Sequence, residues 1–263
     1  MWRGHWRRNL NAEPEGVGEL LCAWDAARFA RERLGFIADA TQTRVLNGSI
    51  RRGLLNCTRQ WGKSTITAIL ALHRAYFHDE SLTMVVSPSA RQSGEFLRKA
   101  KTFARKLGLR ARGDGDNEIS MVLPNGSRIV GLPGSEATVR GFSNVSLMLV
   151  DEAARVSDEL YRAVRPFLAV ADGDLWLVST PCGKRGFFWE EWSNGGAGWE
   201  RFEVKATDCA RISEKFLEDE KRTMGERWFG QEYLCEFTDV SGSLFDRDLI
   251  ERAFTDQVRP LTF

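Results

Sequence analysis

Between Leu54 and Thr67 the chain changes character twice: Leu54-Leu55-Asn56-Cys57, then Thr58-Arg59-Gln60-Trp61, then Gly62-Lys63-Ser64-Thr65-Ile66-Thr67. The apolar run predicts a buried strand, the polar run a tight turn, and Gly62 the opening of a helix. That order gathers successive backbone N–H groups and the positive end of a helix around one point, which suits phosphate. In that setting Lys63 reaches the β- and γ-phosphates of a nucleotide and the Ser64 hydroxyl ligates Mg2+. Gly62 lets the backbone approach without a Cβ in the way. Cys57 stands where the usual phosphate-loop (Walker A) pattern has its first glycine. A Gly-Lys-Ser tripeptide met by chance in a loop is therefore an alternative that this stretch alone leaves open.

The companion lies downstream. Leu147-Met148-Leu149-Val150-Asp151-Glu152 is an apolar strand ending in two adjacent carboxylates, as a Walker B strand does. Asp151 can hold the water shell of Mg2+, and Glu152 can polarise an attacking water. By itself the pair also suits a plain helix N-terminus, where acids are favoured. Together the two stretches predict an ATPase that uses ATP and Mg2+. Asp174 to Thr180 forms a further buried strand with small hydroxyl residues at its carboxyl end, the end that faces the ligand crevice in an open α/β sheet. Thr180 there could sense the γ-phosphate and relay its loss; the alternative is a strand simply stopped by Pro181.

The rest of the chain supplies further expectations. Residues 18–34 predict one helix closed by Gly35, and residues 40–46 a short helix or turn. Gln42 in that segment has a carboxamide able to read adenine as both donor and acceptor, unless it is an ordinary surface glutamine. Leu82 to Ser87 reads as a strand. Ser89 to Leu107 reads as a helix with Phe96, Ala100, Phe103, Ala104 and Leu107 on one side and Arg91, Arg98, Lys99, Lys101, Arg105 and Lys106 on the others. That basic surface is either solvated or a face for DNA, in which case Arg98, Lys101 and Arg105 are the contacts to expect. Asn125-Gly126 predicts a hairpin between residues 119–123 and 128–132. Residues 200–205 alternate as a strand, and 213–220 and 225–237 read as two helices, with Trp228, Phe229, Tyr233 and Phe237 as core.

Composition sets the bounds. With 263 residues and 43% apolar content the chain suits one large α/β domain, or one with a small appendage. A net charge of +1 excludes a polycation, so any DNA contact must be a local patch. Five scattered cysteines without a C-x-x-C pair argue against metal or disulfide roles and fit a reducing cytoplasm. No apolar run approaches the roughly 20 residues that a membrane-spanning helix needs.

These features together resemble one family, the large terminase subunit of tailed double-stranded DNA phages, over roughly residues 24 to 254. Arg59-Gln60-Trp61-Gly62-Lys63-Ser64 looks like its phosphate loop, which often lacks the first glycine. Gln42 falls where the family has an adenine-recognising glutamine. Thr138-Val139-Arg140-Gly141-Phe142-Ser143 is similar to its Arg-Gly loop, and Asp151-Glu152-Ala153-Ala154 to its acidic strand end. Ser179-Thr180-Pro181-Cys182-Gly183 with Gly186-Phe187-Phe188 looks like its coupling motif, and Glu232-Tyr233-Leu234-Cys235-Glu236-Phe237 also looks typical.

The resemblance implies an additional-strand (ASCE) P-loop ATPase, with a mainly parallel central sheet flanked by helices and a small lid subdomain built from N- and C-terminal helices. Residues 1–240 would be the motor. Residues 241–263 would lead toward a C-terminal nuclease domain of RNase H type that this chain does not contain, so no DNA cleavage is expected of it. The implied nucleotide-binding set is Gln42, Arg59, Gln60, Trp61, Gly62, Lys63, Ser64 and Thr65. Glu152, Thr180 and one of two arginines would be catalytic, and Ser64 and Asp151 would hold the metal. Arg59 would act in cis or brace its own loop, whereas Arg140, on a loop flanked by glycine, could serve as an arginine finger in a neighbouring subunit, and Arg140 is favoured. Implied partners are double-stranded DNA, further copies of the chain in a ring on the capsid portal, the portal itself and the small terminase subunit, in the host cytoplasm and away from membranes. A helicase or repair ATPase on the same core, and a nucleotide-binding structural protein without turnover, are the competing readings.

Overall fold

The computed structural model of the protein describes residues 16–116, 119–134 and 141–239. Seven strands in these residues form one sheet: β1 (Arg52–Cys57), β2 (Leu82–Ser87), β3 (Ser120–Val122), β4 (Arg128–Pro133), β5 (Val145–Asp151), β6 (Asp174–Ser179) and β7 (Glu200–Val204). Their spatial order is β3-β4-β2-β5-β6-β1-β7. All neighbours run parallel except β3 and β4, which form the hairpin expected around Asn125-Gly126.

Side-chain alternation along the strands divides the core into two layers. Leu55, Val85, Leu149, Trp176 and Val178 point to one face. There they meet α1 (Val17–Trp24), α2 (Ala26–Leu34), α3 (Ala40–Asn47), α4 (Lys63–Phe77) and α5 (Ala90–Lys106). Leu54, Met84, Val86, Met148, Val150 and Leu177 point to the other, against α6 (Asp158–Val164) and α7 (Gly186–Asn194). Burial on both faces explains why β1, β2, β5 and β6 read as apolar runs rather than as alternating strands. The last helix, α8 (Glu214–Tyr233), rests on a small cluster of its own with Ala206, Leu217, Phe229 and Tyr233. The N-terminal helices, by contrast, share the core of α4.

β6 lies between β1 and β5, so the strand leading to Gly62 and the strand ending at Asp151 are separated by an inserted one. This is the additional-strand arrangement of the expected fold class. The close fit of β1 to β6 needs a glycine: Gly53 pairs with Trp176, and a Cβ on Gly53 would lie 2.4 Å from that indole ring.

Three local expectations need correction. The helix expected over residues 18–34 is two helices, because Asp25 is extended and its carboxylate accepts from Arg28 N to cap α2. The two helices expected at 213–220 and 225–237 adjoin as α8, with a non-helical Gly225 between them, and end at Tyr233. Phe229 and Tyr233 are core residues as expected, but Trp228 is 58% exposed. Phe237 packs on Phe188, Trp189 and Trp192 after the helix has ended. Arg140 and the stretch 241–263 lie outside the described residues.

Candidate nucleotide-binding site

The carboxyl ends of β1, β6 and β5 stand side by side, and the site is built on the turns that leave them. After β1 the backbone turns sharply, with Gln60 (φ 65) and Gly62 (φ 103) in the left-handed region. Gly62 caps α4 without a side-chain hydrogen bond, which leaves the first amides of that helix suited to an anion. After β5, Glu152 is also left-handed (φ 53), and a short 3-10 turn follows at Ala153–Arg155. A non-glycine residue in that conformation is uncommon and costs energy, so surrounding contacts must hold it.

These turns bring Lys63 and Glu152 together. Lys63 Nζ lies 3.0 Å from Glu152 Oε1 and donates to Thr180 Oγ1 at 2.8 Å. The Thr180 hydroxyl in turn donates to Cys57 O at 3.2 Å. Cys57 is fully buried beneath the loop, and burial pushes its thiol up to about 12, so it is an inert packing group there.

A cavity of about 590 Å3 opens over this centre, lined by Arg59, Gln60, Gly62, Lys63, Ser64, Thr65, Gln92, Lys99, Glu152, Arg155 and Arg211. Five of these carry positive charge against one carboxylate, which suits a polyanion. An adjoining hollow of about 230 Å3 joins Ser64 to Asp151 and Glu152. Asp151 is buried and its Oδ1 has no hydrogen-bond partner. Burial first, and then the neighbouring Glu152 charge, push the Asp151 carboxyl up to about 6, against the pull of Lys63. A buried, unpartnered carboxylate oxygen in the hollow that Ser64 lines is what a bound divalent cation would satisfy. The residues present therefore fit Mg2+.

The remaining candidates fall into place around the loop. Gln42 is buried, and both ends of its carboxamide are engaged: Oε1 accepts from Asp39 N at 3.0 Å and Nε2 donates to Trp61 O at 3.0 Å. The Trp61 indole belongs to the core, so only its backbone faces the loop. Arg59 is largely exposed and ion-paired to Glu232. Arg98 and Arg105 are exposed on α5 and Lys101 is half-buried, away from the nucleotide cavity.

Four residues that line or support the cavity carry no local signal in the sequence. Arg211 donates to Trp61 O at 2.6 Å, and Lys99 turns from the basic face of α5 toward Asp151. Arg155 and Glu232 form ion pairs beside Glu152. Each arrives through tertiary contacts, and only Glu232 stands within a stretch that the resemblance singles out.

A family model described as terminase large subunit, T4likevirus-type, N-terminal, matches residues 54–252, well over half of the chain. The chain belongs to that family. The large terminase subunit of Escherichia phage T5 is 24% identical to this terminase over 196 residues, which is 72% of this chain and 44% of that protein. The chain thus spans less than half the length of that relative. Among solved structures, the large terminase ATPase domain of Thermus phage P74-26 superposes with a TM-score of 0.71 at 19% identity, covering 79% of this chain and 97% of that one. The large terminase of another thermophilic bacteriophage, solved in complex with ADP, gives 0.64 at 15% identity over 80% of this chain and 57% of that one. At such identities the likeness establishes the fold.

Proposed function

We propose that this terminase chain is an ATP-hydrolysing motor domain that drives double-stranded DNA into a phage procapsid. The observation that carries the reading is the convergence of Lys63, Glu152 and the unpartnered Asp151 at one cavity over the loop after β1. The amides at the start of α4 and Lys63 receive the β- and γ-phosphates. Ser64 and Asp151 hold Mg2+, which bridges and neutralises phosphate oxygens when bound. Glu152 orients and deprotonates the attacking water once Lys63 has turned to the phosphates. Thr180, hydrogen-bonded to Lys63, registers whether the lysine is engaged with phosphate and passes that state to β6. Gln42 holds the loop, and its remaining N–H is available to an adenine edge.

Arg140 reaches a neighbouring subunit's γ-phosphate, while Arg59 braces its own loop through Glu232. The partners are DNA, bound through its phosphates, further copies of the chain in a ring, the portal and the small terminase subunit, in the host cytoplasm. Among the described residues no helix is long and apolar enough to cross a membrane. Phosphate release from ATP by the purified chain, with and without Mg2+, tests the reading. Turnover that requires Mg2+ supports it, and no turnover under assembling conditions contradicts it.

A further inference from the structure

Glu152 has a second cation on it besides Lys63. Its Oε2 lies 3.0 Å from Arg155 Nη1, while Lys63 takes Oε1. The Arg155 side chain is only 29% exposed and is anchored on its far side, with Nη2 3.3 Å from Glu232 Oε1. Nη1 also donates to Thr180 O at 3.4 Å. The other oxygen of Glu232 takes Arg59, and its backbone carbonyl accepts from Thr58 Oγ1 at 3.2 Å. A continuous chain of charges therefore runs Glu152, Arg155, Glu232, Arg59. It joins the turn after β5 to the end of α8 and to the loop after β1.

We infer that Arg155 is the positioning residue for Glu152 in hydrolysis, with Glu232 as its anchor. The inference rests on the reading of Glu152 as the residue that activates water. Nothing in the turn itself fixes the carboxylate: Glu152 caps the 3-10 helix without a side-chain hydrogen bond, on a left-handed backbone. Of its two cations, Lys63 is the one that phosphates draw away, so Arg155 alone stays to aim the carboxylate when ATP is bound. A guanidinium suits this task because its planar fork grips two carboxylates at once in fixed geometry. A lysine at the same position could satisfy only one of them well.

The test compares Arg155→Ala and Arg155→Lys with the unaltered chain, reading kcat by phosphate release, ATP affinity by equilibrium binding, and Tm. Misaiming a catalytic group by about 1 Å can cost on the order of 100-fold, so Arg155→Ala should lower kcat by about 10- to 100-fold. Its ATP affinity should stay within about threefold, because Glu152 acts on turnover rather than binding. Arg155→Lys should recover part of the rate. Glu232→Ala should slow the unaltered chain yet add little to Arg155→Ala, since both act through one contact. Should Arg155→Ala fail to fold, the lysine variant carries the test, and a full wild-type rate from it overturns the inference. So do an unchanged kcat in Arg155→Ala, a loss confined to ATP affinity, or additive costs with Glu232→Ala. An unaltered chain that binds ATP but never hydrolyses it contradicts the functional reading itself, and the inference falls with it. Normal turnover by both the unaltered chain and Arg155→Ala contradicts the inference alone.

Discussion

Lys63 Nζ and Glu152 Oε1 meet at 3.0 Å although the strands that deliver them are not neighbours. β6 runs between β1 and β5, and Thr180, just past its end, hydrogen-bonds Lys63 from the gap. The inserted strand thus sets how far apart the loop lysine and the acidic turn can be, and places a hydroxyl where it feels the lysine's position. The ion pair holds two charges that a bound triphosphate would separate.

Asp151 makes the site pH-dependent. Its carboxyl is raised from 3.8 to about 6, so between those values the folded chain binds a proton that the unfolded chain has lost. Stability from this group is therefore present at low pH and falls as pH rises through about 6. Binding of Mg2+ needs the ionised form, so Mg2+-dependent ATP affinity should drop below pH 6, by up to about tenfold per pH unit. Asp151→Asn should flatten both curves. Tm and ATP titrations from pH 4.5 to 7.5 check this, and an affinity that does not change with pH contradicts it.

Gln42 couples α3 to the phosphate loop through Asp39 and Trp61. Gln42→Ala leaves the Asp39 N–H without its partner and removes one of two donors to Trp61 O. A cost of about 1–3 kcal/mol is expected, read by urea unfolding. Its ATP affinity should fall more than its GTP affinity if the remaining N–H meets adenine; equal losses would confine Gln42 to bracing the loop.

The basic face of α5 is smaller than its composition suggests. Lys99 lines the nucleotide side, and Lys106 donates to Leu34 O, which leaves Arg98, Lys101 and Arg105 on the outer surface. Reversing those three to glutamate should weaken DNA binding and flatten its salt dependence, by about 0.9 in the log–log slope for each phosphate no longer neutralised. Tm should hold. Unchanged DNA affinity would return this face to solvent.

Action of Arg140 in trans has a mixing test. Arg140→Ala subunits, which keep Lys63, should regain ATPase activity beside Lys63→Ala subunits, which keep Arg140. No rescue in confirmed mixed assemblies would count against action in trans and bring Arg59 forward.

Much of the fold is legible in the sequence because its signals are local. The apolar runs at Leu54, Leu82, Leu147 and Asp174, and the Asn125-Gly126 turn, specify their elements from neighbouring residues alone. The order of the strands is not written locally, and it is the order that brings Glu152 to Lys63. Asp25 breaks a helix whose apolar spacing continues across it, because a carboxylate that can cap competes with helix propagation. Trp228 has the spacing of a core residue, yet the non-helical Gly225 interrupts the periodicity that such spacing assumes. Within the site, Lys63, Ser64, Asp151 and Glu152 are legible because phosphate chemistry demands those types beside strand ends. Arg155, Arg211 and Lys99 are not, since any surface helix or turn carries such charges and only tertiary packing turns them inward.

The central claim is that Glu152 activates water at a nucleotide held by Lys63, and one variant tests it most directly. Glu152→Gln keeps size and shape but loses the base. It should bind ATP about as tightly as the unaltered chain while its single-turnover hydrolysis falls by about 100-fold or more. Hydrolysis at the normal rate by Glu152→Gln would contradict the account.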